Sequence, residues 1–153
     1  FAENIWTALK DQFPDTEFVV GGRYMSNEIV KLKEKGINIV GEVPNAIDFI
    51  NNNDIMIVPL LAGSGIRVKI LEAMAAGKVV TSTSVGAEGI RYTNFQNIII
   101  ANNKEEFIDA LTILGNQETF NNISTNARKL IENEYANQIM VNNLVQKSKK
   151  LKQ

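Results

Sequence analysis

Cysteine and histidine are both absent from the 153 residues. Without cysteine there is no disulfide framework, no thiol nucleophile and no thiolate metal site. Without histidine there is no Ser-His-Asp triad, no imidazole-bound metal, and the commonest general base is missing from this chain. An excess of one charge is lacking too. The 16 basic and 17 acidic residues leave a formal net charge of -1, which gives no reason to expect nucleic acid as a partner. No apolar run approaches the roughly 20 residues of a membrane span, and no signal peptide opens the chain. Its first residue is Phe1 rather than methionine, so it is read as part of a longer protein. There is no internal repeat and no low-complexity segment.

What is present suits one globular domain. Hydrophobic residues make up 44% of the chain, enough to build a core. Phe1, Ile5, Leu9 and Phe13 recur every four residues beside Trp6 and predict an amphipathic helix ended by Pro14-Asp15. Short apolar runs predict strands at Glu17–Val20, Ile37–Val40, Ile55–Val58, Val79–Thr81 and Ile98–Ala101. Helical patterns lie between and after them: Asn27–Lys35, an Asn45-capped run to Ile50, Ile66–Ala75, Lys104–Leu114, Glu118–Tyr135 and Asn137–Leu151. Strand and helix alternate, which argues an α/β, Rossmann-like, doubly wound parallel sheet. Such a sheet places its first strand in the centre, yet this chain opens on a helix. The first strand is therefore expected to be missing, leaving a gap between Glu17–Val20 and Ile55–Val58.

The chemistry gathers in Ile55–Gly89. Pro59 cannot continue a central strand, and Gly63-Ser64-Gly65 leads into a helix that Gly77 can stop. In open parallel sheets ligands bind beyond the carboxyl ends of strands, where such a glycine turn lies. Glycines let N–H groups approach phosphate oxygens, and the helix start adds its positive end. Arg67 and Lys69 can neutralise phosphate charge. Both oppose the helix dipole, so their placement implies an anion. Glu72 stands three residues beyond Lys69, on one helix face. The plainer alternative is a surface Lys69–Glu72 pair above an ordinary turn.

The run P-L-L-A-G-S-G-I-R-V-K-I-L-E-A-M-A-A-G-K-V-V-T-S-T-S-V-G-A-E-G resembles the donor-binding segment of GT-B glycosyltransferases, in particular the large retaining family that includes glycogen, sucrose and bacterial cell-surface polysaccharide enzymes. F-V-V-G-G-R, I-N-I-V-G-E-V-P, N-D-I-M-I-V-P and A-R-K-L-I-E-N-E-Y fit the same family. The resemblance spans essentially the whole chain, but only the C-terminal half of such an enzyme. It implies a hexosyltransferase that uses a nucleoside-diphosphate sugar without a metal or other cofactor, in cell-surface polysaccharide synthesis. It implies a partner acceptor domain on the N-terminal side, without which the fragment is inactive. A cytoplasmic location follows; the basic run Lys147, Lys149, Lys150 and Lys152 reads as a solvated helix end, with a peripheral contact at the inner face of the membrane as the alternative. In the family the glutamate of E-A-M-A holds the ribose hydroxyls, a role carried to Glu72. Many members have an acid eight residues earlier that touches the hexose; here that position is Ser64. Two other readings are a nucleotide-binding regulatory module without catalysis and a GT-B nucleotide-sugar epimerase.

Further candidates are weaker. Arg23 after Gly21-Gly22 can reach the phosphates or be a solvated loop arginine. Glu42 and Val43 stand where the family seats the nucleobase, or form a plain loop. Asp54 reads as a turn residue rather than a catalytic acid, Glu88 resembles the late acid of the family's G-x-x-E-x pattern and reads as structural or as touching a mobile loop, and Met74 and Trp6 read as core. No catalytic residue is assigned.

Overall fold

The computed structural model describes residues 1–136. Helix α1 (Trp6–Gln12) leads to strand β1 (Val19–Gly21), then α2 (Asn27–Lys31), β2 (Asn38–Gly41), α3 (Ala46–Asn51) and β3 (Ile55–Val58). Next come α4 (Val68–Ala75), β4 (Val79–Ser82), β5 (Ile99–Ile100), α5 (Lys104–Leu114) and α6 (Gln117–Leu130), closed by a π-helical turn at Ile131–Tyr135. All strand pairs are parallel. β1 pairs with β2, and β3, β4 and β5 form a second sheet in that order. Among the described residues β1 and β3 do not pair.

Strand β4 shows why the sheet is wound on both faces. All four of its residues are buried. Val80 packs with Ile70, Ala73 and Met74 of α4, while Val79 packs with Ala110 and Leu114 of α5. Successive side chains of a strand point to opposite faces, so Val79 and Val80 meet helices on opposite sides of the sheet, and Thr81 and Ser82 are buried with them. A third cluster joins Trp6 and Leu9 of α1 to Ile37, Ile39 and Phe107. Helix α4 ends as its sequence predicts. Gly77 takes φ +71°, its N–H donates to Met74 at 3.0 Å, and the Lys78 N–H donates to Ala73 at 2.9 Å. That is the Schellman arrangement, which only a residue tolerant of positive φ completes cheaply.

Several boundaries differ from the sequence reading. The first helix starts at Trp6; Phe1–Ile5 is a turn whose Phe1 carbonyl accepts from the N–H groups of Ile5 and Trp6. The first strand shifts to Val19–Gly21. The Asn27–Lys35 helix tightens into a 3-10 turn at Leu32–Lys35, because Gly36 at φ +73° turns the chain into β2. The glycine-loop helix begins at Val68, not Ile66. Of Ile98–Ala101 only Ile99–Ile100 is strand: the Ile98 carbonyl is taken by the Phe95 N–H at 2.8 Å. The helix expected at Asn137–Leu151 and the terminal lysines lie outside the described residues. No helix among the described residues is long and apolar enough to cross a membrane.

Candidate functional site

At the carboxyl end of β3 the chain leaves the sheet at Pro59 and reaches α4 through Gly63-Ser64-Gly65. Gly63 holds φ +130° and Gly65 φ +86°, both in the region that a β-carbon disfavours. The N–H groups of residues 63 to 69 donate to no acceptor among the described residues. Among the described residues, four of the other five α-helices are finished differently; α1, like α4, has no side-chain cap. Ser26, Asn45, Asn103 and Asn116 cap α2, α3, α5 and α6 with side-chain oxygens. Helix α4 has Arg67 at its N-cap and no side-chain cap. Free donors and a positive dipole end together favour an anion at a helix start.

The side chains around that start are engaged with one another. Arg67 folds back, its Nη1 donating to the Ser64 carbonyl at 2.8 Å, and its guanidinium lies against Gly63. A β-carbon at residue 63 would collide with Arg67 Nη2. Among the described residues the Arg67 Nε is buried without a hydrogen-bond partner. Lys69 Nζ lies 2.6 Å from Glu72 Oε2 on the outer face of α4. This is the surface ion pair that the plainer reading anticipated. Exposed pairs of this kind contribute about 0–1 kcal/mol, so either partner can turn to a ligand at small cost. Ser64 is exposed at the tip of the loop.

The loop after β4 buttresses this turn, a feature not recognised in the sequence. The Thr83 hydroxyl donates to the Leu60 carbonyl and accepts from the Gly86 N–H at 3.0 Å. A β-carbon on Gly86 would meet the Val58 carbonyl at 3.0 Å and collide with the Ser82 hydroxyl. Gly89, at φ +79°, comes so close to the loop that a β-carbon there would stand 2.9 Å from Ile66 Cγ1. Thr83, Gly86 and Gly89 thus tie two strand exits together. The available signal was the T-S-T-S-V-G-A-E-G run, in which a hydroxyl three residues before a glycine can accept its N–H. Glu88 is exposed on the same loop.

Arg23 and Glu42 pair with each other, Nε to Oε1 at 2.7 Å, with both side chains largely exposed. They line a second concavity of about 320 Å³ with Tyr24, Met25, Lys33 and Val40, beyond the ends of β1 and β2. Val43 serves packing: its Cγ1 would be 2.9 Å from a β-carbon on Gly21. Among the described residues no hydrogen bond or ion pair joins Arg23, Glu42 or Val43 to the Gly63–Glu72 group. Asp54 is a turn residue whose carbonyl accepts from Val79. Met74 and Trp6 are core, the Trp6 indole N–H donating to the Lys35 carbonyl at 3.1 Å.

The chain also matches a known family. The model for "Glycosyl transferases group 1" matches residues 1–117. The chain belongs to the group 1 glycosyltransferases. A curated relative, described as an uncharacterized 44.6 kDa protein in the cps region of Klebsiella pneumoniae, is 31% identical over 137 residues, covering 80% of this chain and 34% of that protein. Among solved structures, the C-terminal domain of a glycosyl transferase group 1 family protein (LpcC) from Francisella tularensis superposes with a TM-score of 0.73 at 20% identity, covering 86% of this chain and 75% of that one. Anabaena HepE in complex with UDP gives 0.74 at 17% identity, covering 94% and 45%. The fold is that of GT-B C-terminal domains. The chain spans about a third of the curated relative and under half of the Anabaena protein.

Proposed function

We propose that this group 1 glycosyltransferase chain is a donor-binding domain, taking a nucleoside-diphosphate sugar for hexosyl transfer to a saccharide or lipid-linked acceptor. One observation carries the reading: α4 starts uncapped, behind two left-handed glycines, with N–H groups at residues 63 to 69 that are free among the described residues and cations at 67 and 69. The diphosphate seats on the amides of Ser64 to Ile66, and Arg67 and Lys69 neutralise it without a metal ion. Glu72 accepts from the ribose hydroxyls once Lys69 turns to phosphate. Arg23, Glu42 and Val43 border the nucleobase end. The Anabaena protein, solved with UDP and with UDP-glucose, supports this ligand class. The cps-region relative supports a role in surface polysaccharide synthesis. Catalysis is shared with an acceptor domain across a cleft, so these 153 residues alone bind donor and transfer nothing.

Titration calorimetry with UDP, GDP and ADP tests the site. At least one is expected to bind tighter than about 1 mM, equivalent to roughly 4 kcal/mol. Failure of all three, together with no effect of Glu72→Ala, rules the site out. Transfer of sugar by the isolated chain overturns the division of labour.

A further inference from the structure

The loop that buttresses the glycine turn is itself pinned at both ends. At its start the Thr83 hydroxyl engages the Leu60 carbonyl and the Gly86 N–H. At its far end the Arg91 N–H donates to the Tyr135 hydroxyl at 2.7 Å, across 44 positions of sequence. Between the pins the chain is a run of tight turns. The Ala87 N–H donates to the Thr83 carbonyl at 3.1 Å, the Glu88 N–H to Val85 at 3.4 Å and the Ile90 N–H to Ala87 at 3.1 Å. A segment bonded to itself in this way moves as one piece. A single pin would let it pivot, and two fix its orientation. Gly89 lies two residues from the Arg91 pin and six from Thr83, so its approach to the glycine turn is set chiefly at the Arg91 end. That approach is close. A β-carbon on Gly89 would stand 2.9 Å from Ile66 Cγ1 and 3.9 Å from the Ile66 nitrogen. The Ile66 N–H is one of the donors that no acceptor engages among the described residues.

Tyr135 stands on the π-helical turn that follows α6, and its ring packs against the core cluster that holds Ala87 and Ile90 of the loop and Ile70 and Met74 of α4. The ring alone would dock that turn. Docking does not need a hydroxyl at Arg91, which is exposed, so that water can satisfy its N–H. What the hydroxyl adds is direction: a short hydrogen bond fixes distance and angle, where apolar packing tolerates sliding. Beside it Arg91 Nη1 lies 3.6 Å from Glu134 Oε2, but the arginine side chain is 82% exposed, and such a pair contributes little. We propose, resting on the donor-site reading above, that Tyr135 is a positioning residue of that site. Its hydroxyl holds Arg91, Arg91 holds Gly89 against Ile66, and Ile66 carries one of the amides that seat the diphosphate. The donor site thus extends to a side chain beyond the loop and helix that touch the ligand.

UDP titration and methyl NMR on the 153-residue chain test it. Tyr135→Phe keeps the ring in its core contact and removes only the hydroxyl. It is expected to raise the UDP Kd about three- to tenfold, the range that one hydrogen bond sets. It should also shift the Ile66 δ1-methyl resonance with no nucleotide present. Arg91→Ala keeps the backbone donor and loses only the pair with Glu134, so it should change neither. In an Ile66→Ala background the hydroxyl has no contact left to act through, and adding Tyr135→Phe should move Kd by less than about twofold. A merely structural tyrosine gives another pattern: Tyr135→Phe lowers the melting temperature while Kd and the Ile66 resonance stay as in wild type. That result overturns the proposal, as does an equal loss of affinity in both backgrounds. A wild-type chain that binds none of UDP, GDP and ADP refutes the donor site instead. A shifted Ile66 resonance then retains the link from Tyr135 to the glycine turn, and an unshifted one removes it.

Discussion

Replacing Arg67 by alanine separates a phosphate clamp from a structural arginine. Without ligand, the variant loses the hydrogen bond from Nη1 to the Ser64 carbonyl at 2.8 Å. A charged donor to a carbonyl contributes about 1.5–3 kcal/mol when sheltered and less in this solvent-facing loop. Against that loss stand two gains. The variant removes a cation from a helix N-terminus, worth roughly 0.3–1 kcal/mol, and it removes an Nε buried without a partner. The terms nearly cancel, to within about 1 kcal/mol, so the melting temperature of a domain of this size should move by no more than about 2–4 °C. With nucleotide bound the balance changes. Losing a charge-assisted hydrogen bond to a diphosphate costs about 1–3 kcal/mol, a rise in Kd of roughly 5- to 150-fold. Lys69→Ala should behave alike, giving up only its exposed i,i+3 pair with Glu72, about 0.2–0.5 kcal/mol. UDP titration and melts with and without UDP read both quantities. A Kd within about twofold of wild type, combined with a ligand-free melt lowered by more than about 6 °C, refutes the clamp and makes Arg67 a loop staple.

Glu72→Ala should weaken UDP by about 1–3 kcal/mol while leaving inorganic pyrophosphate nearly unchanged, because only UDP brings a ribose; equal losses by calorimetry would place Glu72 elsewhere. Gly89→Ala should destabilise the fold by about 1–2 kcal/mol for the left-handed backbone, lowering the melt by roughly 2–8 °C. It should also weaken UDP, because the new β-carbon would press on Ile66 at 2.9 Å; unchanged UDP affinity would show that the buttress does not position the loop. Asn103→Ala removes the cap that accepts from Glu106 N–H at 3.0 Å. It should cost about 1 kcal/mol in thermal melts with no change in UDP affinity, and serves as the stability-only control.

The elements that could be read in advance are those set by neighbours in sequence. Gly36 and Gly77 stop their helices because positive φ is a property of glycine itself. Asn45 caps α3 because its side chain reaches N–H groups two and three residues on. The apolar runs became parallel strands because burial on both faces demands continuous hydrophobicity. Where a boundary was misjudged, a specific hydrogen bond rather than the apolar pattern decided it. Ile98 and Ala101 fall outside β5 because Phe95 captures one of them and the ladder with β4 is two residues long. The site divides the same way. Glycine turn, cations and glutamate were legible from spacing along one loop and one helix. Their present engagements were not.

By itself the sequence determined the family, the parallel α/β alternation, the absence of any cysteine or histidine chemistry and the position of the glycine turn, since each depends on residue type and short-range spacing. Only the tertiary structure decided that Arg67 bends back over Gly63 and that Glu42 pairs with Arg23, 19 positions away. It alone showed that the loop carrying Thr83, Gly86 and Gly89 holds the turn in place. It also showed that β1-β2 and β3-β4-β5 form two separate sheets among the described residues. These are contacts between segments that the chain brings together only by folding, and no local period encodes which ones meet.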